Sequence, residues 1–338
     1  MSSVICFGEV LLRLSPPSSR RFAQAEGFDA VYGGAEANTA AALAGFGIPA
    51  AVVTKLPPHE IGDACLSALR ARGIDTSHVL RGGDRLGVYF LEKGASQRPS
   101  KVIYDRRGSS IATAKREEFD WEAILADADG FFFTGITPAV GEALPQAVRD
   151  ALDVCRAKGI PAACDVNYRP TLWEAERAGE VMRPLVKGLD TLIVNEEHAA
   201  LLLGVSSDRQ GADEDERLPD IAARLARTYA LRRVALTLRR SETADDNLVS
   251  AALYDAPSGE YRRARWIRVH IVDRVGGGDA FTAGLLYGQR RGMSVAETVE
   301  FANAANAFKH SIPGDMLLAS ADEIARLAQS DGTVRMVR

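Results

Sequence analysis

The sequence comprises 338 residues, of which 46% are hydrophobic and 25% charged, a composition typical of globular proteins with a buried core. A formal net charge of −4 excludes a surface built mainly for nucleic acid or anionic membrane, although it leaves room for a local basic pocket. The first residues form a short apolar run without a basic leader, so we expect no export, no membrane span and a cytoplasmic location.

Short apolar runs alternate with helix-like segments along most of the chain. The predicted strands cover residues 4–8, 51–55, 130–134, 162–166, 191–194, 234–238 and 251–254. The predicted helices cover residues 36–46, 61–72, 141–158, 175–186, 196–203 and 218–229. This alternation is typical of α/β proteins with a mainly parallel sheet between helices, and the absence of a linker predicts a single domain over residues 1–338.

Two stretches break this alternation, at residues 10–35 and 86–109. The first is rich in Ser, Pro and Arg, and the second contains two β-like pieces without a helix between them. We interpret both as a small β-sheet lid over a site, with two ordinary surface loops as the alternative. The charged segment at residues 211–217 is predicted to be a solvated loop.

The cysteines and histidines carry no metal or disulfide pattern. Cys6, Cys65, Cys155 and Cys164 form no C-x-x-C pair and are expected to be small buried hydrophobic residues. Five scattered histidines without an H-E-x-x-H motif predict no protein-bound zinc.

The strongest chemical signal is a run of three glycines, Gly276, Gly277 and Gly278, followed by Asp279 and an apolar helix predicted over residues 280–291. Such a turn directs backbone N–H groups at one point and suits a phosphate or a phosphoryl group in transfer. Asp279 is placed to accept a proton from an attacking hydroxyl. The alternative is a plain turn with Asp279 as helix N-cap. The run matches neither the P-loop nor the Rossmann glycine motif, which disfavours both classes.

Two further segments indicate a binding site only in combination with this loop. Gly34 lets a ligand approach the backbone at the start of a predicted helix, and Asn38 can both donate and accept toward hydroxyls, although alone the segment is a plain helix start. Arg169 follows a strand that ends near Asp165, where ligands of open α/β sheets bind. It suits a carboxylate or phosphate, with a surface salt bridge as the alternative.

The predicted lid carries three polar side chains, Tyr89, Tyr104 and Arg106. Lid residues that close over a substrate exclude water and complete a site. The alternatives are a core aromatic residue for Tyr89 and a solvated charge for Arg106. Arg106 together with Arg169 would suit a substrate that carries its own carboxylate.

Along nearly its whole length the sequence resembles the ribokinase-like (PfkB) carbohydrate kinases. Residues 273–284 resemble the family's C-terminal signature, and residues 33–47 resemble its N-terminal glycine signature. Residues 8–17, 33–38, 89–106, 135–138 and 165–173 resemble the members that phosphorylate 2-keto-3-deoxygluconate. The resemblance implies a three-layer α/β/α sandwich with a mainly parallel central sheet and a small β-sheet lid formed by roughly residues 10–35 and 86–109.

The resemblance also implies a role for each site residue. Asp279 would be the catalytic base, and the N–H groups of Gly276, Gly277 and Gly278 would form an anion hole. The residues expected to contact the sugar acid, besides Asp279, are Gly34, Asn38, Tyr89, Tyr104, Arg106 and Arg169. The residues expected to border ATP are Asn167, Asn195, Thr237, Arg239, Gly276, Gly278, Asn303 and Asn306. Mg²⁺ would arrive on ATP rather than in a cage of protein ligands.

Three positions depart from the family pattern. His198 stands where the family often has a Glu that organises Mg²⁺ through water, so Glu196 or Glu197 would have to substitute. Gly277 replaces an alanine, which preserves the anion hole and loosens the loop. Glu9 stands where many members have a sugar-binding Asp, which fits a substrate with a carboxylate that a close Asp would repel.

The leading hypothesis is therefore transfer of the ATP γ-phosphoryl group to the terminal hydroxyl of 2-keto-3-deoxygluconate. The alternatives are a kinase for fructose, another ketose or a related keto acid, or a relative that only binds sugar. The exposed strands of a lid need their edges covered, so we expect a homodimer or higher homo-oligomer, with no nucleic-acid partner.

Overall fold

The computed structural model of the protein describes residues 2–209 and 211–330. In these ranges the chain forms strands β1 (Ser3–Phe7), β2 (Leu11–Ser15), β3 (Asp29–Gly33), β4 (Ala50–Leu56), β5 (Val79–Arg81), β6 (Gly87–Glu92), β7 (Lys101–Asp105), β8 (Ala128–Thr134), β9 (Ala162–Asp165), β10 (Thr191–Val194), β11 (Arg233–Ser241), β12 (Asp246–Asp255), β13 (Glu260–Arg263) and β14 (Ile267–His270). The α-helices are α1 (Ala35–Gly45), α2 (Glu60–Arg70), α3 (Trp121–Ile124), α4 (Thr137–Val140), α5 (Leu144–Lys158), α6 (Ala175–Val186), α7 (Glu196–Leu203), α8 (Glu214–Tyr229), α9 (Gly277–Arg290), α10 (Val295–Lys309) and α11 (Ala321–Gln329).

The larger sheet has the strand order β13-β12-β11-β10-β9-β8-β1-β4-β5, with β14 beside β12. Neighbouring strands pair in parallel from β11 through β10, β9, β8, β1 and β4 to β5. The pairs that β12 makes with β11, β13 and β14 are antiparallel. The predicted class, α/β with a mainly parallel central sheet, is confirmed. All parallel strands therefore end at one edge of the sheet, which positions the site described below.

Apolar residues cover both faces of this sheet. In β8, Phe131 and Phe133 pack with α5 to α8 on one face, whereas Phe132 packs with α1, α2, α9 and α10 on the other. Helices on both faces explain why the strands read as continuous apolar runs rather than as an alternating pattern. The four cysteines are buried, as the sequence predicted.

The helix predicted over residues 141–158 is present as α5 and begins three residues later than predicted, at Leu144, since the short helix α4 ends at Val140. Another prediction of local structure was wrong. The predicted loop at residues 211–217 contains the start of α8, where the Asp213 carboxylate accepts from the N–H groups of Asp215 (2.9 Å) and Glu216 (3.0 Å). The N-terminus of a helix carries a partial positive charge, which acidic side chains stabilise. This run of acidic residues therefore stabilises the start of a helix rather than forming a loop.

A second sheet of four strands has the order β3-β2-β6-β7 and stands apart from the larger one. Its strands fall within the two stretches at residues 10–35 and 86–109, which excludes the alternative of two plain loops. All five residues of β7 are exposed at the outer edge of this small sheet. Among the described residues, none of the helices has the length and apolar character needed to cross a bilayer.

A buried ionic network joins the small sheet to the loops before α9 and after α10. The Arg13 guanidinium, 2% exposed, donates to Asp273 Oδ2 (2.6 Å) and Asp315 Oδ1 (2.5 Å). The Tyr89 hydroxyl of β6 donates to the other oxygen of Asp315 (2.5 Å). Two strands of the small sheet are thus bound to the segments that surround the glycine run.

Replacing Arg13 by Met should lower the free energy of unfolding by about 3–5 kcal/mol, because two buried carboxylates lose their cation. Tyr89→Phe should cost about 1–3 kcal/mol, since it removes one hydroxyl from Asp315. Urea unfolding measures both. Arg177→Met is the matched control, because Arg177 forms an exposed ion pair with Glu180 (2.9 Å) that should contribute at most about 1 kcal/mol. Equal losses for Arg13→Met and Arg177→Met would show that the network does not hold the sheets together.

Candidate active site

The carboxyl ends of the parallel strands open into a cleft of about 670 Å³. Its walls come from the ends of β1, β9 and β11, from the N-termini of α1 and α9, and from the small sheet. Ligands of open α/β sheets bind at this edge. The residues of this cleft that carry chemistry are Glu9, Glu36, Asn38, Tyr89, Tyr104, Arg106, Asp165, Arg169, Arg239, Arg274 and Asp279.

The glycine run forms the N-terminus of α9. Gly276 is left-handed (φ 84°), and a side chain there would also collide with the Asp315 carbonyl oxygen, so only glycine fits. Gly277 and Gly278 belong to the first turn of α9, which corrects the predicted start at residue 280. Among the described residues no side chain caps this end, so the first N–H groups of the helix remain available for an anion in the cleft.

Asp279 lies in this first turn and is half-buried in the cleft. Its Oδ2 accepts a hydrogen bond from Asn38 Nδ2 (2.7 Å), so Asp279 is not the helix N-cap that the sequence left open. The Asn38 amide is oriented because its Oδ1 accepts from the Gly34 N–H (3.3 Å). A side chain at Gly34 would collide with the Glu9 carbonyl oxygen, which explains the glycine.

Two further carboxylates lie close enough to act on Asp279. Burial, followed by the charges of Asp165 and Glu36, raises the pKa of Asp279 to about 7, against the opposing hydrogen bond from Asn38 and the charge of Arg169. Burial likewise raises the pKa of Asp165 to about 6. An aspartate whose pKa lies near neutrality is suited to accept a proton in catalysis.

Glu36 is a buried acid that the sequence analysis did not assign. Its Oε1 accepts from the Thr134 N–H (2.9 Å), the Thr134 hydroxyl (2.7 Å) and the Thr137 hydroxyl (2.7 Å). Burial raises its pKa, and a side chain at Gly8 would collide with its carboxyl group. Glu36 stands inside the motif at residues 33–38, but nothing in that motif indicates its burial.

The two arginines expected to meet a substrate carboxylate differ in their surroundings. Arg106 is buried, and its Nε and Nη2 atoms donate to Glu9 Oε2, with Nε at 2.7 Å. Glu9 Oε1 also accepts from the Ser109 hydroxyl (2.5 Å), so the Glu9 carboxylate is engaged by residues of the second stretch. The Arg169 side chain is exposed at the cleft, and its guanidinium forms no hydrogen bond or ion pair within the described residues, whereas its backbone carbonyl accepts from the Leu172 N–H (3.0 Å). Of these two arginines, Arg169 is therefore the one whose guanidinium is free.

The tyrosines of the small sheet also differ. Tyr89 is 5% exposed, and its hydroxyl is engaged by Asp315, whereas Tyr104 is 37% exposed in the cleft. The Tyr104 ring lies 5.8 Å from that of Tyr89 and carries the Arg106 guanidinium at 5.3 Å. Burial raises the pKa of Tyr89 well above its usual value, so its hydroxyl remains a donor.

The residues predicted to border ATP are only partly brought together. Asn167 and Arg239 line the cleft, whereas Asn195, Thr237, Asn303 and Asn306 do not. Asn195 caps α7 by accepting from the His198 N–H (2.7 Å), and the buried Asn303 donates to the Arg265 carbonyl (2.9 Å). The Asn303 amide is therefore engaged away from the cleft, and its contact with a nucleotide stays a prediction.

Asn306 lies behind the glycine run instead. A Cβ at Gly277 would lie 2.8 Å from Asn306 Oδ1, an atom that finds no hydrogen-bond partner among the described residues. Asn306 is therefore close to the glycine run without lining the cleft.

The acids proposed to replace the missing Glu are not at the cleft. Arg217 binds both oxygens of Glu196, at 2.5 and 3.1 Å, and Glu197 is exposed. The His198 ring packs edge-on against Tyr168 (5.5 Å), and burial lowers its pKa. Asp165 lines the cleft with Asp279, and carboxylate oxygen is a ligand that Mg²⁺ prefers.

A buried lysine also escaped the sequence analysis. Lys309 Nζ donates to the carbonyl oxygens of Asp273 (3.3 Å) and Ile312 (3.1 Å), so it joins the two loops that border Gly276. Burial lowers its pKa to about 8. From sequence alone, a lysine at the end of a helix is expected on the surface. Only the tertiary contacts of Lys309 show that it is buried.

Another cavity, of about 710 Å³, lies at the opposite edge of the larger sheet. The four arginines in its wall are paired with acids: Arg290 with Asp129 (2.7 Å), Arg233 and Arg232 with Asp190 (3.1 and 4.0 Å), and Arg156 with Asp153. It lacks the convergent free polar groups of the cleft.

The pfkB family carbohydrate kinase profile matches residues 1–319. Over 326 residues the chain is 30% identical to 2-dehydro-3-deoxygalactonokinase from Haloferax volcanii, covering 96% of each protein. It is 26% identical to 2-dehydro-3-deoxygluconokinase from Thermoproteus tenax, covering 93% of this chain and 90% of that protein.

The crystal structure of 2-dehydro-3-deoxygluconokinase from Thermotoga maritima superposes with a TM-score of 0.94 at 46% identity, covering 98% of this chain and 100% of that one. Together with the glycine run and the Asp279 site, these similarities define the class of the protein. The chain belongs to the pfkB family of carbohydrate kinases and is an ATP-dependent sugar kinase.

Proposed function

We propose that this kinase transfers the γ-phosphoryl group of ATP to the terminal hydroxyl of 2-keto-3-deoxygluconate, also called 2-dehydro-3-deoxygluconate. The proposal depends on one observation: the same cleft contains a proton acceptor, Asp279, and an arginine with a free guanidinium, Arg169. The names of the relatives from Thermotoga maritima and Thermoproteus tenax support the same substrate class.

In the reaction, the terminal hydroxyl oxygen attacks the γ-phosphorus while the bond from that phosphorus to the bridging oxygen of ADP breaks. Asp279 accepts the hydroxyl proton, and Asn38 holds the carboxylate in place for it. The N–H groups at the start of α9 stabilise the charge that builds on the phosphoryl oxygens. When Mg²⁺ is bound, it would neutralise part of the charge on the phosphates, and Asp165 is the carboxylate that would hold it.

The sugar acid needs a cation for its carboxylate. Arg169 offers an unpaired guanidinium, whereas the Nε and Nη2 atoms of Arg106 already donate to Glu9, which neutralises much of its charge. We infer that Arg169 makes the main contact and that Arg106 and Tyr104 close the site from the small sheet. Glu9 then acts by holding Arg106 rather than by touching the sugar.

The remaining expectations follow from this function. We propose that the small sheet is the lid of a single kinase domain over residues 1–338, of which residues 1, 210 and 331–338 lie outside the described ranges. We also propose a cytoplasmic enzyme that assembles as a homodimer or higher homo-oligomer. The exposed apolar residues Val102 and Ile103 on the edge strand β7 support such an assembly.

An ADP-release assay with Mg-ATP should show strong preference for 2-keto-3-deoxygluconate in a panel with 2-keto-3-deoxygalactonate, fructose, ribose and gluconate. Arg169→Met should raise KM for the keto acid about 10- to 100-fold, the worth of one charge-assisted hydrogen bond, without changing KM for any neutral sugar that reacts.

Each other outcome of the panel has a meaning. Preference for the galactonate epimer would retain the arginine contact and change the acceptor. Preference for fructose would refute the carboxylate contact. No ADP release with any sugar would favour a relative that only binds sugar.

Asp279→Asn should lower kcat by at least about 10²- to 10⁴-fold and leave keto-acid binding nearly unchanged, because the amide cannot accept the proton. In the wild type, kcat/KM should rise with pH through about 7, since only the deprotonated carboxylate is a base.

Asp165→Asn should move this midpoint to lower pH, because it removes a neighbouring negative charge that raises the pKa of Asp279. The pH profile of each enzyme measures the shift. A profile that is flat between pH 5 and 8, or one that Asp165→Asn leaves unmoved, would contradict the assignment of Asp279 as the base.

A further inference from the structure

Two arginines beside the glycine run have no anionic partner. Arg274 stands two residues before Gly276 and lines the cleft, yet it forms no hydrogen bond or ion pair within residues 2–209 and 211–330. Arg239 lies at the end of β11, lines the same cleft, and has no ion pair in those residues either. Both therefore present guanidinium groups to the cleft on the α9 side, whereas Arg169 follows β9.

Arg239 is held in place by His310. His310 Nδ1 lies 2.7 Å from the Asn306 carbonyl oxygen, which only accepts, so the ring proton must be on Nδ1. Nε2 is then free to accept, and it lies 3.0 Å from Arg239 Nη2. His310 is fully buried, and burial lowers its pKa to about 4, which keeps the ring neutral.

The same histidine contacts the anion-binding turn. A Cβ at Gly277 would lie 2.6 Å from His310 Cε1, so the ring packs directly against the first turn of α9. The chain of contacts from Gly277 to His310 to Arg239 fixes the guanidinium beside the N–H groups of that turn.

Among the described residues, no acid forms an ion pair with either arginine. Asp273 is engaged by Arg13 (2.6 Å) and the Gly314 N–H (3.0 Å), and the Asp245 carboxylate, which lines the same cleft, accepts from the Ser96 N–H (2.6 Å) instead. Burial and the charge of Arg274 lower the pKa of Arg239 to about 10, and burial also lowers the pKa of Arg274. A guanidinium is a cation at neutral pH, so each contributes a positive charge to the cleft. Two like charges held together without an acid are suited to a ligand with several negative charges.

We propose that Arg274 and Arg239 form a cationic clamp for the polyphosphate of the nucleotide, with His310 as the positioning residue of Arg239. The proposal rests on the kinase function, and it divides the cleft into two parts. Phosphates bind between the clamp and the N-terminus of α9, and the sugar acid binds on the Arg169 side.

Calorimetric titration of the full chain with ADP, inorganic pyrophosphate and adenosine tests the clamp. Arg274→Gln and Arg239→Gln should each weaken ADP and pyrophosphate at least about tenfold and leave adenosine unchanged, because adenosine carries no phosphate. The ADP affinity of both variants should also depend less steeply on salt than that of the wild type.

Arg240→Gln is the matched control. Arg240 neighbours Arg239 on the same strand, but it stacks on Trp266 at 4.2 Å and pairs with Glu214 (3.4 Å), and it does not line the cleft. ADP affinity should be unchanged in this variant. If Arg240→Gln weakened ADP binding as much as Arg239→Gln, the effect would come from general surface charge, and the clamp would be refuted.

The role of His310 is tested by a double-mutant cycle. His310→Leu should weaken ADP, and it should add little to the loss in the Arg239→Gln background, since both changes disable the same guanidinium. Additive losses would refute the positioning role. Normal ADP binding in Arg274→Gln, or a loss confined to the keto acid, would overturn the clamp as a phosphate site.

These binding measurements need no sugar. Failure of the sugar panel with intact ADP binding would therefore refute the acceptor assignment alone.

Discussion

The Arg13 guanidinium between Asp273 and Asp315 is the interaction on which the rest of the site depends. It is fully buried, and its partners lie on the two loops that border Gly276. A charge removed from water in this way is tolerable only when it is paired and hydrogen-bonded, and Arg13 has both carboxylates and the Ser15 hydroxyl (2.9 Å). The same contacts hold the small sheet over the cleft and fix the glycine turn at the start of α9.

Much of the fold followed from the period of the apolar residues. Strands buried on both faces appear as short continuous apolar runs, and all seven that were predicted occur, with ends shifted by a few residues. The error at residues 211–217 had a local cause, because a run of acids reads as solvated loop unless its N-capping geometry is recognised. The start of α9 at Gly277 was missed since three consecutive glycines do not indicate helix.

The site was predictable where a motif carries its own chemistry, as at Asp279 and Asn38. It was not predictable where function depends on partners far apart in the chain. Arg13 and Asp315 are separated by 302 positions, and Arg106 and Glu9 by 97, so residue type alone could not pair them. Arg106 and Arg169 look equivalent in the sequence, but one is bound by Glu9 and the other is free. This difference is tertiary, and it changes which arginine is available to a substrate.

The attachment of the small sheet at Arg13 and Tyr89 also limits how the sheet can move. A rigid rotation of the whole sheet would have to break the ionic network, because β2 and β6 are its two central strands. Strand β7 pairs with β6 alone and exposes every residue, including Tyr104, yet both of its ends are tied to other parts of the chain. The Ser96 N–H of the hairpin loop donates to Asp245 (2.6 Å), and Arg106, directly after β7, donates to Glu9 (2.7 Å). Entry and exit of ligand would therefore have to break at least one of these polar contacts, so the strength of a few hydrogen bonds limits how far the cleft can open.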